Sequence, residues 1–90
     1  MPSNDDIVLR ALGYTGPTDM QAVTADDAFR ALKRTFRGKL NYVRCSPRES
    51  TVLASVDLMR RPMYAAQGAT LTEALIAAAA KAIEAESKDA

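Results

Sequence analysis

Residues 68–86 read GATLTEALIAAAAKAIEAE. The pattern predicts one helix of about four turns. Thr70 is the expected N-cap, and Glu73 follows three residues later. In such a capping box the Thr70 hydroxyl accepts from the N–H of Glu73, and the Glu73 carboxylate reaches back to the N–H of Thr70. The alanines that follow keep helix propensity high. Leu71, Leu75, Ala79, Ala82 and Ile83 fall on one face, while Glu73, Ala77, Lys81 and Glu84 face away. Small side chains at Ala78, Ala79 and Ala82 allow close approach to whatever the helix covers. The rest of the chain is expected to form that surface.

Immediately upstream the apolar period is two. KLNYVRC at 39–45 predicts a strand with Leu40, Tyr42 and Arg44 on one face and Asn41, Val43 and Cys45 on the other. SPRES at 46–50 is a turn. Residues 51–59 predict a second strand, with Val52, Ala54, Val56 and Leu58 on its core face. Leu53 and Met59 share the opposite face with Leu40 and Tyr42, leaving apolar surface there. Arg60, Arg61 and Pro62 turn the chain again. Residues 63–67 are a candidate third strand at a sheet edge, because Pro62 cannot donate to a ladder.

Two helices precede the sheet. Thr24 and Asp27 have capping-box spacing at the start of the second. Its apolar stripe is Ala25, Ala28, Phe29, Leu32 and Phe36, and Gly38 ends it. The first covers residues 5–12, capped by Ser3 or Asn4, with Asp5 and Asp6 at its positive end and Gly13 closing it. Residues 14–23 contain Gly16-Pro17 and read as a loop. The predicted order is α-α-β-β-(β)-α. The fold class is α+β: a small antiparallel sheet of two or three strands, covered by the last and second helices. The ninety residues are read as one domain, frayed at 1–4 and 87–90.

Composition narrows the chemistry. No histidine is present, which removes the commonest general base and metal ligand. A single cysteine cannot form an internal disulfide or a zinc site of ordinary spacing. On its strand Cys45 alternates with Val43, so a buried, inert thiol is expected. Neither a phosphate-binding nor a dinucleotide-binding glycine motif occurs. The acid pairs Asp5-Asp6 and Asp26-Asp27 sit at helix starts, where the macrodipole accounts for them. No catalytic residue, cofactor or metal is expected, nor is an enzyme. No leader or apolar membrane span is visible, so the expected setting is cytoplasmic.

Charge is segregated beneath a formal net of +1. Residues 1–27 hold five aspartates against Arg10. Residues 28–62 hold nine Lys or Arg against Glu49 and Asp57, and residues 63–90 hold two lysines against four acids. Within the basic middle, Arg30, Lys33, Arg34 and Arg37 recur at i, i+3, i+4 and i+7, opposite the apolar stripe. A solvated amphipathic helix shows the same opposition, but its polar face usually mixes signs. Pointing away from Phe29, Leu32 and Phe36, these cations are expected to matter little to the fold. With Arg48, Arg60 and Arg61 in the sheet turns and Tyr42 on the more polar sheet face, they are the candidate partner-binding residues.

IVLRALGY at 7–14, TADDAF at 24–29 and ATLTEAL at 69–75 together resemble the small phage and prophage proteins grouped as the phage ABA sandwich domain. That resemblance implies an origin in a mobile element and no particular activity. From residue 24 onward the order α-β-β-β-α also looks like a double-stranded RNA-binding domain. There the last helix opens with phosphate-gripping lysines; here Leu71, Thr72 and Glu73 hold those places, so the likeness is architectural. The expected function is a non-enzymatic phage protein that binds and occludes a macromolecular partner, for example an inhibitor of a bacterial defence system such as an anti-CRISPR. Its partner would be an acidic protein surface or a nucleic-acid-bound complex. The alternatives are a nucleic-acid-binding accessory protein that uses the basic middle and a homodimeric interaction module.

Overall fold

The computed structural model describes residues 4–13, 23–59 and 63–88, the last two as backbone only. The elements in chain order are α1 (Asn4–Ala11), α2 (Ala25–Thr35), β1 (Leu40–Pro47), β2 (Val52–Leu58), β3 (Tyr64–Gly68) and α3 (Leu71–Lys88). Both antiparallel pairings follow chain order, so β2 is central and β1 and β3 are the edges. The α+β class and the third strand are therefore as expected. The loop at 14–22, the turn at 60–62 and the extreme ends lie outside the described residues. Asn4 is already helical and the α3 backbone continues to Lys88.

The starts of α2 and α3 follow from their capping chemistry. The Thr24 Oγ1 accepts from the N–H of Asp27 at 3.2 Å, and Asp27 Oδ2 accepts from the N–H of Thr24 at 3.0 Å. At α3 the Thr70 Oγ1 accepts from the N–H of Glu73 at 3.1 Å. The returning Glu73 carboxylate takes the N–H of Ala69, also at 3.1 Å, rather than that of Thr70. Glutamate has one methylene more than aspartate and reaches one residue further back. Gly13 and Gly38 close α1 and α2 at φ of +93° and +79°, a region that favours glycine.

Helix α3 is the centre of the fold. One side packs on β2 and β3, and the other side meets α1 and α2. Ala74, Leu75, Ile76, Ala78, Ala79, Ala80 and Ala82 are all buried, covering most of its circumference. Such a helix needs small side chains where backbones approach, which the alanine run supplies. Helix α2 sits against α3 and α1 instead of covering the sheet, contrary to the expected arrangement. Its buried residues are Ala28, Ala31 and Leu32, with Phe36 at its end. Phe29, expected in the core, is 39% exposed because Ala28 and Ala31 form the close contact line. Leu71 is 48% exposed at the first position of α3, before the helix has passed under its neighbours.

The sheet departs from strict alternation at one place. The register shifts between Leu40 and Tyr42, so Leu40 pairs with Leu58 and Tyr42 with Asp57. The extra residue, Asn41, donates from Nδ2 to Asp57 Oδ2 at 2.8 Å. This bulge turns Leu40 to the core side, where it packs on the buried cluster. It was expected on the outer face with Tyr42. Downstream, Val43 and Cys45 face the core side opposite Val56 and Ala54, as the alternation required. Cys45 is nevertheless exposed, not buried. Helix α3 covers β2 and β3 but stops short of β1, so among the described elements no helix packs substantially on that strand.

Candidate functional site

The stripe on α2 becomes a site because α1 ends beside it. Arg30, Lys33, Arg34 and Arg37 line an open concavity of about 560 Å³ together with Leu12 and Gly13. Helical spacing places the four cations on one face, and Lys33 and Arg34 in the last turn suit the negative end of α2. The left-handed turn at Gly13 stops α1 and leaves the Leu12 carbonyl without a helical donor. Arg34 Nη1 donates to that carbonyl at 3.0 Å. Arg34 is thus part of the fold as well as of the charged surface. The sequence pattern, which pointed Arg34 away from Phe29, Leu32 and Phe36, gave no sign of this bond to α1.

Each of the other three cations has its own setting. Arg30 pairs with Asp27 at the head of α2. The Asp27 carboxyl is held below its usual value, chiefly by the N–H of Thr24 and then by the Arg30 guanidinium. Lys33 Nζ lies 5.6 Å from the ring centroid of Phe29. Arg37 is exposed on the segment that follows the last turn of α2. Beside the basic concavity a second hollow is lined by Asp26, Asp27, Phe29, Arg30 and Lys33 with Thr24 at its edge. The exposed surface of α2 therefore runs from an acidic start, past an aromatic ring, to a cationic end.

The remaining candidates do not join it. Tyr42 is 47% exposed on the outer sheet face, and Arg48 is exposed in the hairpin between β1 and β2. Neither lines the concavity. Arg60 and Arg61 lie outside the described residues. The sequence reading missed Phe29 as a surface group and Leu12 and Gly13 as the opposite wall. The glycine closing α1 was visible, but its meeting with Arg34 is a long-range contact that no local pattern announces.

Among the described residues no group of His, Cys, Asp and Glu is arranged to hold a metal ion, and no helix is long and apolar enough to cross a membrane. No protein-family model, curated protein or solved structure matches this chain.

Proposed function

We propose that this protein is a small non-enzymatic binding protein that docks α2 onto an acidic protein surface and acts by occluding it. The observation that carries the reading is the composition of the α2 surface. Four cations gather at one concavity, next to an exposed phenylalanine and two aspartates. A nucleic-acid groove would have its phosphates repelled by Asp26 and Asp27 at one end of this surface. A protein partner suits the mixture better, since exposed aromatics and arginines are the usual anchors of protein interfaces. The cations would steer and orient the encounter, and Phe29 would supply apolar contact. The resemblance to phage proteins adds a biological setting: the occluded partner would belong to a bacterial host, as the target of a defence-system inhibitor does.

A photoreactive residue in place of Arg37, at the rim of the concavity, tests this in bacterial lysate. The control carries the same residue in place of Glu84, exposed on α3. The reading expects one identified acidic protein to cross-link from position 37 only, and to be lost at high salt. A cross-link that nuclease treatment abolishes would assign the site to nucleic acid instead.

A further inference from the structure

The two edges of the sheet are finished differently. Just past the end of β1, the N–H of Arg48 donates to the carbonyl of Thr51 at 2.7 Å, so the backbone groups of these two residues face each other across the hairpin. Alternation along the ladder then turns the backbone groups of Tyr42, Arg44 and Ser46 toward β2. Those of Val43 and Cys45 point away from β2, toward the edge on which no other described element pairs. Pro47 occupies the next outward position, the place where a missing N–H costs least. The same alternation across β2 makes the Ala65 carbonyl of β3 point outward, and Lys81 Nζ donates to it at 3.2 Å. A lysine of α3 therefore guards the β3 edge. Among the described elements, β1 has only β2 as a substantial neighbour.

We propose that the β1 edge pairs antiparallel with β1 of a second copy of this chain, joining the two sheets into one. The open segment is bracketed by the bulge at Asn41 and by Pro47, which confines the pairing to the residues between. Three two-fold registers keep matching faces together. With Arg44 on the axis, two arginines stand directly opposite each other, which is unfavourable. With Cys45 on the axis, Val43 faces Pro47, which lacks the donor for that pair. With Val43 on the axis, Val43 exchanges both backbone bonds with the partner's Val43. Tyr42 then stands opposite the partner's Arg44, twice over, on the outer face. That strand surface is self-complementary, as an isologous contact requires, with a ring meeting a guanidinium on each side.

Sedimentation equilibrium over a wide concentration range tests the pairing. A reversible dimer is expected, and Arg44→Glu should raise its Kd roughly tenfold, the effect of losing two exposed cation–π contacts. Tyr42→Ala should do the same. Both side chains are exposed, so the circular dichroism spectrum should stay unchanged for each variant. The register is read with Val43→Cys in a Cys45→Ser background: mild oxidation should trap a disulfide dimer, because paired Cα atoms about 5.5 Å apart suit that bond. A strict monomer at millimolar concentration overturns the proposal, even if β1 takes up a strand of another protein. So does a dimer indifferent to both surface substitutions, or one in which native Cys45 cross-links faster than Val43→Cys.

Discussion

Arg34 Nη1 donates to the main-chain carbonyl of Leu12 across 3.0 Å, so one cation of the candidate site also fastens the end of α1 to α2. A charge on the binding surface and a tertiary hydrogen bond are carried by one guanidinium. Arg34→Ala should therefore cost about 1–2 kcal/mol in urea denaturation, the scale for a charged donor at a partly solvated carbonyl. Arg37→Ala, with no such partner among the described residues, should cost under about 0.5 kcal/mol. Equal small losses from both would mean that the Arg34 bond contributes nothing in solution.

Close packing around α3 should make small-to-large changes expensive. A Cβ on Gly68 would lie 2.5 Å from the backbone nitrogen of Ala74 and 2.9 Å from the carbonyl carbon of Glu73. Gly68→Ala should thus destabilise by roughly 1–3 kcal/mol, although glycine in a strand is ordinarily no asset. Leu75→Ala, emptying a buried site on the same helix, should cost about 2–5 kcal/mol. Thermal unfolding of the two variants decides this; an unchanged Tm for Gly68→Ala would place β3 further from α3.

Cys45 should react with maleimide in native protein nearly as fast as in unfolded protein, since it is exposed and no described helix packs substantially on β1. Strong protection in the monomer would mean that part of the chain shields the strand.

Acid should loosen the head of α2 by a defined route. The folded state lowers the Asp27 carboxyl from its ordinary value of 3.8. The contribution of its bonds to stability is therefore complete above that value and fades as pH falls through the lower folded one. The stability gap between wild type and Asp27→Asn should narrow over that acidic interval and stay constant at neutral pH. A gap that does not change with acid would show that the Thr24 and Arg30 contacts leave the carboxyl untouched.

The local signals in the sequence translated well where they had a chemical partner close in the chain. Thr24 with Asp27 and Thr70 with Glu73 marked helix starts, and the glycines at 13 and 38 marked helix ends. Alternation from Val52 to Leu58 identified the buried sheet face. What could not be read depended on the third dimension. No residue type announces a bulge, so Leu40 was assigned to the wrong face. An alanine-rich helix buried on opposite sides looks amphipathic to a one-face reading, which hid the layer formed by α1 and α2. The charged stripe was visible as four residues, whereas its wall at Leu12 and its neighbour Phe29 emerged only from packing.

The affinity of the cross-linked partner for wild type and for the Arg30→Glu/Lys33→Glu/Arg37→Glu variant tests the binding role of α2 most directly. Arg34 is left in place so that α1 stays fastened. The expected result is a loss of at least about tenfold in affinity, with an unchanged circular dichroism spectrum and a wild-type association rate that falls with salt. Equal affinity in the folded variant would contradict the account and leave the stripe as a solvated helix face.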